Sequence, residues 1–172
     1  MRLAILICAM ALCATAAAVE LGEKEAEKAV RFTDALEKNP FAEDAADMRR
    51  WLIGWLEETP DYLVVVCDVL GPEPAASKYG AELFGQMLFG NVRFQIRNPT
   101  RKDETSFQVA GVESVLTTYS AILAKDPRAQ VAYLDELLAL QKHGKLRDHL
   151  EPIITEKCSE PDDRQQVASN QR

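Results

Sequence analysis

The fold class follows from the stretch VAGVESVLTTYSAIL, residues 109–123. Apolar side chains recur in it three or four residues apart, which places them on one side of an α-helix. This side carries Val109, Val112, Leu116, Tyr119 and Leu123. A continuous apolar seam of this kind predicts a long helix that packs against neighbouring elements.

Helical periodicity continues on both sides of this stretch, and proline or glycine ends most of the runs. The predicted helices cover residues 20–38, 43–58, 75–98 and 131–143, with a last short helix from Leu146. We therefore predict an all-α domain of five to seven helices. Its expected architecture is an irregular helical bundle or a short stack of helical hairpins.

Residues 61–70, DYLVVVCDVL, carry two conflicting signals. Their β-branched side chains favour a strand. Their position between predicted helices favours a buried helix instead. We predict a helix for this segment.

The helix predicted at 75–98 contains an aromatic residue followed by glycine every five residues. The pairs are Tyr79-Gly80, Phe84-Gly85 and Phe89-Gly90. Each glycine destabilises a helix by about 1 kcal/mol relative to alanine, so another interaction should offset this cost. We expect close approach of a neighbouring helix, with a ligand crevice as the alternative.

The amino terminus has the order of segments that is typical of a secretory signal peptide. Arg2 precedes an apolar run from Leu3 to Leu12, and small residues follow up to Ala18. We predict cleavage after Ala18, which removes residues 1–18. The alternative is an uncleaved anchor, but a spanning helix needs about 20 apolar residues. The mature protein is therefore expected to be periplasmic or secreted, with no membrane span.

The remaining chain has the size and composition of one acidic domain. Residues 19–158 form the predicted helical domain, and the polar residues 159–172 form a predicted disordered tail. The 172-residue sequence has a formal net charge of −7. Such a charge disfavours binding to nucleic acid or to anionic lipid.

Two of the four cysteines lie outside the predicted signal peptide, at Cys67 and Cys158. Exported proteins fold in compartments that permit disulfides, and two cysteines allow one intramolecular pairing. We predict a Cys67–Cys158 disulfide that closes a loop of about 90 residues. Two unlinked, buried thiols are the alternative.

Signatures of catalysis and of cofactor binding are missing from the sequence. The two histidines, His143 and His149, are six residues apart, which is not a metal-ligand spacing on one helix face. The chain also contains no phosphate-binding loop, dinucleotide glycine pattern, nucleophile elbow or zinc-protease motif. We expect neither a metal nor another cofactor.

Two sets of residues are candidates for a binding surface. One is a cationic cluster in an acidic molecule, made of Arg93, Arg97, Arg101 and Lys102. It could hold an anionic partner, or its arginines could pair with nearby acids. The other set would form an aromatic groove, made of Trp51, Trp55, Tyr79, Phe84 and Phe89. Aromatic residues at helical spacing are also typical of a core.

These observations favour a small exported, non-catalytic binding or interaction protein whose partner is another exported protein. The alternative is a hydrolase that uses paired carboxylates in a groove between helices. It predicts that at least one of four acids lies in a pocket and has a raised pKa, namely Glu57, Glu58, Asp61 or Glu113. A third possibility is a structural envelope protein, which needs neither a cleft nor an exposed apolar patch.

Overall fold

A computed structural model describes residues 24–158, which fold into seven helices and contain no strand. The helices are α1 (24–38), α2 (Ala45–Glu58), α3 (Pro72–Ala75), α4 (Gly80–Arg97), α5 (Glu104–Lys125), α6 (Ala132–Lys142) and α7 (Leu146–Cys158). The predicted all-α class with five to seven helices is thus confirmed. The predicted signal peptide at 1–18 and the predicted tail at 159–172 lie outside the described residues.

The centre of the fold is the antiparallel pair of α4 and α5. Asp103 starts α5 by accepting a hydrogen bond from the backbone N–H of Ser106 at 2.9 Å. Bonds from Ser106 lower the pKa of Asp103 to about 2. Along α5, buried residues lie on most sides of the helix, including Val112, Val115 and Leu116, which have no exposed surface. The seam predicted at 109–123 is therefore one side of a helix that other elements surround.

Two hydrophobic clusters flank this helix pair. The larger cluster joins α4 and α5 to α6 and α7 and contains Leu116, Leu134 and Leu150, all fully buried. The smaller cluster joins α1 and α2 to α4 through residues such as Leu36 and Phe89. Helix α4 contributes to both clusters, so it connects the two halves of the molecule.

Close approach of α4 and α5 depends on two glycines. A Cβ atom on Gly90 would lie 2.3 Å from the Cβ atom of Ser114. On the opposite helix, a Cβ atom on Gly111 would lie 2.7 Å from the carbonyl oxygen of Met87. Neither position has room for a side chain. The expectation that glycine permits close helix packing is confirmed at Gly90.

The prediction of a helix at residues 61–70 is wrong. Residues 62–68 run without a bend and without regular secondary structure, and we call them the extended segment. Leu63 and Val66 are 69% and 64% exposed, so the environment of a buried helix is absent. The side-chain amides of Gln95 and Gln108 donate hydrogen bonds to the carbonyl oxygens of Leu63 and Val65, each at 2.8 Å. Helix side chains thus replace the missing partner strand.

The predicted disulfide is confirmed. It joins Cys67 of the extended segment to Cys158 at the end of α7, with 5.2 Å between the two Cα atoms. A covalent bond therefore ties a segment without regular structure to the larger hydrophobic cluster, against which both cysteines pack.

Asp126, directly after α5, links the end of this helix to the start of α4. Its carboxylate accepts hydrogen bonds from Lys78 Nζ at 2.8 Å and from the Tyr79 hydroxyl at 3.1 Å. The Lys78 bond is the main reason why the pKa of Asp126 falls from 3.8 to about 2. Because the folded-state pKa is lowered, this carboxylate stabilises the fold above about pH 4. The contribution is lost as the pH falls toward 2.

We expect Asp126→Asn to lower stability near neutral pH, because the ionised acceptor of Lys78 is gone. The difference from the wild type should narrow as the pH falls from about 4 to about 2, where the wild-type carboxylate also becomes neutral. Urea midpoints of both proteins between pH 6 and pH 2 would measure this. A difference that stays constant across this range would contradict the assignment.

Candidate binding groove

An apolar groove lies between the extended segment, the residues that follow it and the first half of α4. It encloses about 390 Å³, a volume within the range of small-ligand pockets. Six of the side chains that line it belong to Val66, Leu70, Pro74, Leu83, Phe84 and Met87. We call it the Val66–Phe84 groove. Apart from Asp68, the side chains that line it are uncharged.

Two of the most exposed large apolar side chains among the described residues stand in the lining of this groove. Val66 is 64% exposed and Phe84 is 48% exposed. Leu63, at 69%, lies three residues before Val66 on the extended segment. Exposed apolar side chains that cluster beside a concave surface are typical of binding sites.

A sharp turn and a tertiary helix cap position one wall of the groove. Gly71 adopts a φ of 67°, a conformation that favours glycine, and Pro72 then starts α3. Glu73 of α3 accepts hydrogen bonds from the backbone N–H groups of Ala132 and Tyr133 at 3.1 and 3.3 Å. This carboxylate caps the amino terminus of α6 and so fixes the short helix that forms the wall.

The aromatic residues predicted to form one groove are not brought together. Trp51 and Trp55 stack with 5.9 Å between their ring centroids, and they pack in the smaller cluster with the buried Phe89. Tyr79 packs against Phe41 at the start of α4, with 5.2 Å between the ring centroids. Only Phe84 of the predicted set lines the Val66–Phe84 groove.

The predicted cationic cluster is engaged in ion pairs within the chain. Arg93 contacts Asp34 and Glu37 at 2.7 and 2.6 Å, and Arg97 contacts Asp34 at 2.6 Å. Burial lowers the pKa of Arg93, but its hydrogen bonds to these acids outweigh this effect and raise it. In the following loop, Arg101 pairs with Asp103 at 3.0 Å, and Lys102 is exposed. The two helical arginines therefore attach α1 to α4.

Sequence reasoning missed a polar network beneath these arginines. Gln86 donates hydrogen bonds to the hydroxyl oxygen of Ser114 and to the carbonyl oxygen of Thr33, and Ser114 donates to the carboxylate of Glu37. A serine beside a carboxylate is one part of a nucleophilic site. Ser114, however, has no exposed surface and could not meet a substrate. The network joins α1, α4 and α5 and is structural.

The four acids of the hydrolase hypothesis are all exposed, and none of them lines the Val66–Phe84 groove. Desolvation on the surface of α5 raises the pKa of Glu113, while the nearby Arg93 opposes that rise. The hypothesis of paired carboxylates stays a prediction.

Two kinds of feature are absent from residues 24–158. Within that range no three histidine, cysteine or acidic side chains are grouped as metal ligands would be. No helix in the same range is long and apolar enough to cross a membrane. No protein-family model, curated protein or solved structure shows significant similarity to this chain.

Proposed function

We propose that this protein is a small exported, non-catalytic binding protein that holds apolar side chains of another exported protein in the Val66–Phe84 groove. The observation that carries the proposal is the groove itself, which is apolar, open to solvent and lined by the exposed side chains of Val66 and Phe84. Leaving such surface in water is unfavourable, and a partner that covers it gains the corresponding hydrophobic free energy.

Two features support a place outside the cytoplasm. Residues 1–18 have the pattern of a secretory signal peptide. The Cys67–Cys158 bond is of a kind that persists in oxidising compartments. The proposed site of action is therefore the periplasm or the external medium.

The chemistry of the lining favours binding over catalysis. Asp68 is the only acidic or basic residue among those that line the groove in the described chain, so a second carboxylate for acid–base work is absent there. A partner would be held mainly by burial of apolar surface.

Site-specific photo-crosslinking tests this proposal. The photo-reactive residue p-benzoylphenylalanine would replace Phe84 in the groove or, as a matched control, the exposed Ile53 on α2. We expect the probe at position 84, and not the probe at position 53, to form one dominant crosslink to an exported protein. Equal crosslinking at both positions, or none at position 84, would contradict the proposal.

A further inference from the structure

The extended segment uses one of its two backbone edges and leaves the other without hydrogen bonds to the described chain. The carbonyl oxygens of Leu63, Val65 and Cys67 accept bonds from Gln95, Gln108 and the backbone N–H of Val69. Successive residues of an extended chain direct their polar groups to opposite edges. The edge that carries Val64 and Val66 therefore faces away from these donors. Within residues 24–158, neither residue makes a backbone hydrogen bond.

The composition of the segment suits a strand partner. Residues 63–66 read Leu-Val-Val-Val, and β-branched side chains pack well on the pleated surface of a sheet. An exposed, apolar edge of this kind is a template for pairing with another extended chain. Val66 on this edge is 64% exposed, and Val64 is half-buried against the smaller cluster.

The charges at the two ends of the segment indicate which charges a partner strand should carry. Exposed carboxylates stand on both sides of the apolar run, at Asp61 and Asp68. A paired strand would place its own residues opposite these acids, where opposite charges stabilise the pairing and like charges destabilise it. The net charge of −7 acts in the same direction.

We propose that residues 62–67 dock an extended peptide strand of the partner, apolar in its centre and carrying a lysine or arginine at each end, by β-strand addition. This inference rests on the proposed binding function and specifies its mode of recognition. The main-chain groups of Val64 and Val66 would supply the hydrogen bonds. The Val66–Phe84 groove, which shares Val66 with the docking edge, would take up one of the partner's apolar side chains.

A second copy of this chain fits the edge less well. Antiparallel self-pairing through Val64 and Val66 would bring the Asp61 end of each copy beside the Asp68 end of the other, within one residue of direct register. Two pairs of like charges would then lie close together across the pairing, which is destabilising. A partner strand with basic ends removes this repulsion.

Titration calorimetry with synthetic peptides tests the inference. The probe is an eight-residue peptide with a lysine at each end and alternating valine and threonine between them. The control peptide has glutamates at both ends. We expect the lysine peptide to bind about tenfold more tightly at low salt, with a smaller ratio at high salt. Equal binding of both peptides, or no binding of either, would overturn the inference.

A charge-reversal variant tests whether Asp61 and Asp68 are the acids that distinguish the two peptides. In Asp61→Lys/Asp68→Lys the preference should reverse, so that the glutamate peptide binds more tightly. The matched control, Glu25→Lys/Glu27→Lys, changes the net charge equally at exposed positions on α1 and should keep the wild-type preference. The same preference in both variants would assign the effect to overall charge and overturn the role of Asp61 and Asp68.

Backbone pairing is tested on the wild-type protein, so the result does not depend on the folding of a variant. N-methylation of alternate residues removes the amide donors along one edge of a strand. We expect the lysine peptide to lose binding when the methylated edge faces the protein. Methylation of the opposite edge should leave binding intact.

Hydrogen exchange of the Val64 and Val66 amides should also slow in the complex. Binding without this protection would contradict strand addition. A crosslink at position 84 would still support the proposed function in that case, so the two proposals can fail separately.

Discussion

Replacing both Cys67 and Cys158 by serine should lower the free energy of unfolding by roughly 4–5 kcal/mol. The two cysteines are 91 residues apart, so their bond removes much of the conformational freedom of the unfolded chain. The loss of the bond should also loosen the folded state. The extended segment would then be held by two side-chain hydrogen bonds without a covalent link. A domain of this size has a total stability of about 5–15 kcal/mol, so this loss would be a large fraction.

Guanidinium denaturation of the oxidised wild type and the double variant measures this effect. Wild-type protein kept in a reductant is the matched control, and its midpoint should fall to that of the double variant. Because the unfolded state without the bond is more expanded, its denaturant dependence should be steeper. Equal midpoints for the oxidised wild type and the variant would show that the bond does not stabilise the fold.

Gly90→Val should lower stability by about 3 kcal/mol or more. The first added carbon atom would already lie 2.3 Å from Ser114 Cβ and 3.1 Å from the carbonyl oxygen of Ala110. Neither of these atoms is the end of a flexible side chain. Helices α4 and α5 would have to separate, and Ser114 would move away from its partners Gln86 and Glu37.

Gly54→Ala is the matched control for the glycine prediction. Gly54 also lies inside a helix, α2, but a Cβ atom there would meet no heavy atom within 4 Å. The alanine should therefore stabilise the protein by about 0.5–1 kcal/mol, because glycine is the poorer helix former. Thermal unfolding of both variants should give shifts of opposite sign. A Gly90→Val protein as stable as the wild type would mean that the two helices part without cost.

Most helices of this fold could be predicted because their signals are local. The seam at residues 109–123 has the helical period, and Pro99 and Pro127 follow the ends of α4 and α5 closely. Tyr79 precedes the observed start of α4, which is later than the predicted start at residue 75. The reason is the separate short helix α3, which uses residues 72–75.

The extended segment could not be predicted because its partners are distant in sequence. The side chains that donate hydrogen bonds to its carbonyl groups belong to Gln95 and Gln108, which lie 32 and 43 residues away from the carbonyl groups they bind. The local propensity of Val64 to Val66 favoured an extended backbone, which agrees with the structure. The prediction of a helix followed the position of this run between predicted helices. Glutamine side chains from two of those helices supply hydrogen bonds to its backbone instead.

Helix geometry explains why the predicted aromatic groove is divided. Residues five apart are separated by about 140° around a helix axis, so Phe84 and Phe89 face different sides of α4. The repeat was visible in the sequence, but it does not show which side meets α1 and α2. The ion pairs of the arginine cluster could not be predicted either, since Arg93 lies 59 residues from its partner Asp34.

The aromatic packing between α1 and α2 determines what fluorescence spectroscopy can report on this molecule. Both tryptophans of the chain, Trp51 and Trp55, belong to the smaller cluster, where Phe32 and Tyr62 extend the row of rings. Intrinsic emission excited at the indole band therefore follows only this half of the protein. The larger cluster, against which the disulfide packs, contains no tryptophan. Its helices contribute to the far-ultraviolet circular dichroism. Coincident transitions by the two probes would establish that the two halves unfold as one cooperative unit.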